Sequence, residues 1–435
     1  MRLPGADFLR MISSAVVSQA VLSGANLLVG LLLIRRTATE QYGYYVLVIT
    51  AVLLLCNLQG AYTHPSLVIK LASEELPGRR DFVGGLLRDQ QRALVILAAL
   101  CVLILSALWA TGVIKTPLAL TMLAAVAAGM TALFREFFRL VLIAYRLPAS
   151  VLRVDVCYVA LLVGGAYLAT LTHFPAIAAT LSLALSAAIG GFLLSRMVLR
   201  HEGWNIHGAP GVLVKIAPIG ALALTGAAIH WTFAQGYIYV VASTLSVTAV
   251  AELAATRLLM MPVNLMSAGI GSMTFPTVSH WLRKHPVRTV FYRLLLLSAG
   301  VAGLGVIYLS IMWFLRDWIF TYIMKGKGPL PHRDTLLMLW SAIFTFTAVR
   351  DQMFLPAARG RFVAMTWLTL VTAVTSLLIS FIGMRMIGVV GALIGVLSGE
   401  VINVFGYALL SWLEVKRSER DEAAPRPIEA TQAGE

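Results

Sequence analysis

Two stretches concentrate the chain's chemistry-bearing side chains inside otherwise apolar sequence. Between Gly129 and Asp155 an arginine-acid pair, Arg135-Glu136, is followed by Arg139 and, eleven residues after Arg135, by Arg146. In the second half Arg350-Asp351 is followed eleven residues later by Arg361, at a constant offset of 215. On a helix Arg135, Arg139 and Arg146 fall within roughly 40° of one another and make one basic stripe. Guanidinium groups so placed can hold phosphate or carboxylate through paired hydrogen bonds, with Glu136 and Asp351 orienting the arginines beside them. Long side chains at such a place can also snorkel to headgroups.

A further arginine, Arg257, stands about ten residues into an apolar run, roughly 15 Å from its end and so near mid-bilayer. A charge at that depth costs several kcal/mol unless it faces water, a partner or a ligand. Glu400, in SGEVINVFGY, is similarly deep. It could carry a coupling proton, pair with Arg257, or bond to Asn403 one turn on. Gln19, Asn26, His230, Gln235 and Asn264 add polar groups to apolar runs. Either interhelical hydrogen bonds or a polar lumen would satisfy them.

The elements that position these residues must be membrane spans. The 435 residues are 59% hydrophobic and 12% charged, and a globular chain carries about twice that share of charge. Apolar windows of about 20 residues number twelve: 11–34, 44–63, 91–114, 117–141, 151–171, 174–199, 213–238, 246–275, 289–315, 335–355, 362–384 and 387–412. The expected fold is an all-α polytopic membrane protein. The first run is too long for a signal-peptide core and ends in Arg35-Arg36, so it reads as a first span.

Alternate connections carry 25 and 8 lysines and arginines, which places both termini in the cytoplasm. The connection from His64 to Arg92 reads as a polar, amphipathic segment at the interface. The external connection from Arg316 to Asp334 holds Lys325, Lys327, His332 and Arg333. The midpoint falls in HEGWNIHGAPG, so the chain divides into an N-terminal six-helix lobe (1–200), a linker (201–212), a C-terminal six-helix lobe (213–413) and a disordered tail (414–435). Six spans per lobe give the two repeats the same orientation, with a cleft between them.

The net charge of +14 suits an anionic membrane surface or anionic cargo. Nucleic acid is excluded as a partner because the basic residues are scattered among short loops. Cys56, Cys101 and Cys157 lie in apolar runs without ligand spacing, so neither a disulfide nor a metal is expected and they read as small buried hydrophobes. The spacing GxxxGxxxG at Gly391, Gly395 and Gly399 signals close helix packing. No nucleotide-binding, zinc-hydrolase, serine-hydrolase or paired-carboxylate motif occurs, so no catalytic residue, cofactor or enzymatic activity is expected.

The opening, SSAVVSQAVLSGANLLVGLLLIRRTATEQYGYYVL, resembles that of bacterial polysaccharide flippases, with Arg35, Glu40, Gly43 and Tyr44 in the matching positions. AELAATRLLMMPVNLMSAGIGSMTFPTVSHWL, around Arg257 and Pro276, is similar to that family's eighth span, and the stripe from Arg135 to Arg146 to its fourth. Thr39 stands where the family often has proline. The resemblance is to the Wzx-type polysaccharide transporters of the multidrug/oligosaccharidyl-lipid/polysaccharide exporter superfamily. It implies two lobes in a V, alternating access in the bacterial inner membrane, and export of undecaprenyl-pyrophosphate-linked oligosaccharide. It also implies partners among membrane lipids, polysaccharide polymerase and chain-length or export machinery. The implied lumen comprises Arg257, Arg135, Arg139, Arg350, Gln19, Asn26, Gln235 and Asn264, with Glu400, Asp351 and Glu136 for ion coupling or pairing. The alternatives are a multidrug antiporter of the same architecture, whose cavity would hold unpaired acids, and a membrane polysaccharide polymerase or ligase.

Overall fold

The computed structural model describes residues 6–324 and 332–423. Lys325 and Lys327, the tail beyond 423 and the side chain of Pro276 lie outside the described residues. The N-terminal half holds α1 (Ala6–Arg36), α2 (Thr39–Ser73), α3 (Leu76–Ala110), α4 (Thr116–Ala144), α5 (Pro148–Ala169) and α6 (Pro175–His201). After a linker come α7 (Val212–Lys215), α8 (Ala217–Gln235), α9 (Tyr237–Thr244), α10 (Val247–Leu258), α11 (Met261–Trp281) and α12 (Val287–Trp318). The chain ends with α13 (Arg333–Arg350), α14 (Leu355–Ala358), α15 (Phe362–Ile387) and α16 (Val389–Ala423).

Local sequence sets many of the helix limits. Proline stands in the first turn of α3, α4, α5, α6 and α8, where its missing N–H would be unpaired anyway. Ser246 caps α10, its hydroxyl accepting from the Ala249 N–H at 3.1 Å. The turn between α15 and α16 needs Gly388 at φ 62°.

Among the described residues ten helices are long and apolar enough to cross a membrane, or eleven if α10 and α11 count as one span bent by 55°. The sequence suggested twelve. The remaining window, α13, is only 18 residues long and is diluted by Arg333, Asp334 and Arg350. The expected straight span 246–275 is broken after Leu258, where Pro262 at the second position of α11 cannot donate to a continuing ladder.

Four other expectations are corrected. The His64–Arg92 connection is not a separate interfacial segment, because α2 and α3 continue to within a residue or two of each other. The chain remains helical through Ala423, and at 414 its glutamate is buried. Helix α4 stops at Ala144, so Arg146, in the left-handed region at φ 60°, lies off the helix and the stripe ends at Arg139. None of the three cysteines is fully buried and Cys157 is exposed, which suits an apolar side chain facing lipid.

Within the first half α4 packs on α6, α1 on α5, α5 on α6 and α2 on α4. Within the second α15 packs on α16, and α13 on α12 and α16. The α15/α16 contact is close because Gly391 faces Gly383 and Gly395 faces Ser380. Ser376 and Ser380 donate to the Gly395 and Ala392 carbonyls at 3.0 and 2.9 Å.

The linker after α6 is held by the first turns of α3. Arg88 donates to the carbonyls of Ile206, Gly208 and Ala209 at 3.1, 3.3 and 3.0 Å. Asn205 donates to Asp81 at 2.7 Å, and Arg79 pairs with Glu202 at 3.1 Å. A side chain at Gly84 or Gly85 would collide with the Asn205 or Ala209 carbonyl. The linker is thereby part of the first half up to Gly211, whose φ of 67° turns the chain into α7.

Candidate functional site

The two halves meet in one continuous apolar cluster at the end of the bundle away from the linker. It joins Val29, Leu33, Tyr42 and Tyr45 of α1 and α2 to Val250, Leu253, Trp340 and Phe344 of α10 and α13. Here Gly43 lies against the Val247 backbone and Gly30 against the Leu258 side chain, so both contacts depend on the missing Cβ. At the linker end the apolar side chains divide instead into two clusters, one of the first half together with Val212 and Ile216, the other of the second half. At this end α2 packs on α8 and α3 on α7, with Gly220 against Tyr62 and the Tyr62 hydroxyl donating to the Leu213 carbonyl of α7 at 2.8 Å. The halves are therefore closed at the far end and parted toward the linker.

Between them lies a cavity of about 510 Å³ walled by α1, α2, α8, α9, α10, α11, α13 and α16. Its charged and polar lining includes Arg257, Arg350, Asp351, Glu400, Asn26, Asn57, His230, Gln235, Asn264, Thr50 and Thr347. The aromatic lining includes Tyr42, Tyr45, Trp231, Tyr237 and Trp340. The charges are formally balanced, two arginines against two acids, but they are not evenly placed.

Arg257 comes eleven residues after the Ser246 cap, about 16 Å along the helix. Its Nη1 donates to the Gln235 Oε1 at 2.5 Å, and its guanidinium lies 5.6 Å from the centre of the Trp340 ring. Among the described residues it forms no ion pair. Gln235 accepts without neutralising, so the guanidinium keeps its full charge in the cavity wall.

The second arginine is bound on both sides. Arg350, at the end of α13, pairs with Asp351 at 3.1 Å and with Glu400 of α16 at 3.0 Å. Asp351 also accepts from the Ser267 hydroxyl at 3.2 Å. Glu400 is thus the partner of Arg350, neither of Arg257 nor of Asn403; the Asn403 amide oxygen accepts from Thr372 at 3.1 Å. This group carries one more negative than positive charge.

Arg135, Arg139 and Gln19, expected in the lumen, are not in the cavity wall, and neither is Glu136, expected for ion coupling or pairing, which pairs with Arg139. Arg135 is buried between α4, α5 and α6, bonded to the fully buried Asp155 and stacked 3.9 Å from the centre of the Tyr158 ring. Arg139 bridges Glu136 at 3.2 Å and Asp155 at 3.4 Å, and Ser18 of α1 donates to Asp155 at 2.5 Å. The physical reason is Asp155. A buried carboxylate must be paired, and two arginines turn into the first half to meet it. Gln19 is exposed, two turns from Asn26 toward the linker end of α1.

Sequence reasoning missed Asp155 as a partner, although a lone acid four residues into the fifth apolar run was signal enough. It also missed the aromatic wall, since tyrosine and tryptophan in a span read equally well as interfacial anchors.

No family model and no curated protein matches the chain. Solved structures do match in fold. A multidrug resistance MATE family transporter of the MOP superfamily, inward-facing, superposes with a TM-score of 0.74 at 13% identity, covering 91% of this chain and 95% of that one. The lipid II flippase MurJ in its inward closed conformation gives 0.73 at 11% identity, covering 92% and 87%. An outward-facing MATE structure gives a lower 0.65 at 12% identity, covering 95% and 96%. The chain therefore has the V-shaped, all-α fold of these transporters.

Proposed function

We propose that the protein is a flippase that moves polyprenyl-pyrophosphate-linked oligosaccharide across the bacterial inner membrane by alternating access. In this reading the linker end is cytoplasmic, and the chain comprises two six-helix lobes divided at residues 201–212. The observation that carries the proposal is Arg257: an arginine without an ion-pair partner, near mid-depth, in a cavity that also offers asparagine, glutamine and aromatic side chains. Such a guanidinium receives a pyrophosphate oxygen pair, the amides bond to sugar hydroxyls, and the aromatic rings present apolar faces with polar tips to the sugar rings. Pyrophosphate and sugar are each prohibitively costly in hydrocarbon, while the polyprenyl tail remains comfortable there. The closed far end and parted linker end match the state that would load from the inner leaflet.

A second reading, a cation-coupled multidrug exporter, draws on the Arg350 group, whose surplus negative charge could exchange a cation. Purified protein in vesicles separates the two. Leaflet distribution of a defined polyprenyl-pyrophosphate sugar is measured under imposed proton or sodium gradients, beside efflux of a cationic dye. The flippase reading expects the sugar lipid to equilibrate and the dye to stay. Dye movement with a stationary sugar lipid would reverse the assignment, and full sugar-lipid movement by an Arg257→Ala protein would remove Arg257 from it.

A further inference from the structure

The long α16 carries a second buried acid, Glu414, fourteen residues and about 21 Å beyond Glu400. Its side chain is only 7% exposed, yet three arginines converge on it from different elements. Arg361, just before α15, donates its Nε–H to Oε1 at 2.6 Å. Arg417, on the next turn of α16, donates to the same oxygen at 3.1 Å, and the Nε of Arg359, just after α14, stands 3.7 Å from Oε2. Gly360, at φ 73°, makes the turn between Arg359 and Arg361.

One carboxylate cannot satisfy three guanidinium groups. Each arginine has five N–H donors, whereas a carboxylate offers about four acceptor sites. The cluster keeps a surplus of two positive charges, and the arginine side chains are 36%, 41% and 54% exposed, so their remaining donors face outward. Glu414 orients them; it does not neutralise them.

Directly against this cluster the surface changes from basic to apolar. Phe362, Val363 and Trp367 on α15 and Leu409 and Leu413 on α16 are exposed large hydrophobics, of the kind that face acyl chains on a membrane-spanning helix. Trp412, with Lys416 5.7 Å from its ring, marks the level where such helices leave the hydrocarbon. A pre-oriented guanidinium cluster at headgroup depth, above an apolar two-helix surface, has the chemistry of a lipid phosphate site.

We propose that Arg359, Arg361 and Arg417, held by Glu414, bind the phosphate-bearing headgroup of a lipid whose chains lie along α15 and α16. The site is separate from the cavity and does not depend on the flippase reading. Two sources share this chemistry, a resident anionic phospholipid and a polyprenyl pyrophosphate.

Lipid retention on the purified full-length protein, measured by native mass spectrometry, tests it. Phosphatidylglycerol is expected to bind at least five-fold more tightly to wild type than to an Arg359→Gln/Arg361→Gln/Arg417→Gln protein. An Arg196→Gln/Arg200→Gln control, which removes exposed basic residues on α6 in the other half, should stay within two-fold of wild type. Equal losses in both variants, or none in the triple variant, overturn the proposal. A readout on wild type alone guards against a triple variant that does not fold: phosphatidylglycerol with a headgroup photo-crosslinker should label peptides spanning 359–367 and 409–417, and labelling confined to other segments also overturns it. Tighter retention of polyprenyl pyrophosphate than of phosphatidylglycerol would identify the headgroup as that of a cargo lipid; the reverse order would identify it as that of a resident one. Because the measurement is equilibrium binding, its failure leaves the transport reading untouched, and loss of transport does not touch it.

Discussion

Arg135 and Arg350 stand at matching places in the two halves, 215 residues apart, each followed by an acid, and the structure puts them to opposite uses. Arg135 is sealed inside the first half, where Arg135, Arg139, Glu136 and Asp155 balance two positive against two negative charges. Arg350 stands in the cavity wall between Asp351 and Glu400, one positive against two negative. The difference lies in the partner helix. In the first half the acid across from the arginine is on α5, inside the bundle; in the second it is on α16, which faces the cleft. Repeating a charge pair along a chain therefore does not repeat its role.

The widest separation between the halves should appear on deleting an acid. Asp155→Ala leaves Arg135 and Arg139 with one acid between them in a dry interior, and loss of one partner of a buried pair costs about 3–5 kcal/mol. The expected result is a large fall in thermal unfolding temperature in detergent, along with poor yield. A shift of only a degree or two would show that the first-half cluster is wetter than its burial implies.

Arg257→Ala should act on transport and spare the fold. It removes a guanidinium whose partners are uncharged, the Gln235 amide and the Tyr237 and Trp340 side chains, so unfolding should change little, while movement of sugar lipid falls at least ~100-fold, as expected for losing a charge-assisted contact worth about 3 kcal/mol. Arg257→Lys, which keeps the charge and loses the planar fork, should fall between.

Glu400→Gln is the second-half counterpart of the Asp155 change and should be milder in stability. Arg350 retains Asp351 at 3.1 Å and the glutamine can still accept from it, so the fall in unfolding temperature should be smaller than that of Asp155→Ala. If Glu400 serves ion coupling, the gradient dependence of transport should flatten in this variant while gradient-free equilibration persists. An unchanged gradient response would leave Glu400 a positioning residue for Arg350.

Much of this comparison was readable in the chain, because a charge in an apolar run must be explained whatever the fold. Depth along a helix follows from counting residues, and by that count Arg257 and Glu400 lie well inside the bundle. Partners do not follow from counting. Asp155 is twenty residues from Arg135 and Glu400 fifty from Arg350, so which acid meets which arginine depends on helix rotation, and apolar runs with little amphipathic contrast leave that rotation unspecified. The same weakness hid the break after Leu258, where the apolar run continues unaltered and only Pro262 marks it. Hydropathy sees the membrane, and a bend inside the membrane leaves it unchanged.

The smallest effect expected is also the most discriminating. Replacing the sealed pair with an apolar one, Arg135→Met with Asp155→Leu, should recover most of the stability that Asp155→Ala loses, because well-packed apolar residues often match or exceed a buried ion pair. Arg139 keeps Glu136 at 3.2 Å, and the Ser18 hydroxyl, without its carboxylate, can turn back to a carbonyl of its own helix. If the first-half cluster only holds α1, α4 and α5 together, transport in the double variant should stay within about three-fold of wild type, below 1 kcal/mol. A folded double variant that no longer moves sugar lipid would mean that these charges act in the cycle as well as in the fold. The sealed cluster and the cavity group would then be two stations of one mechanism.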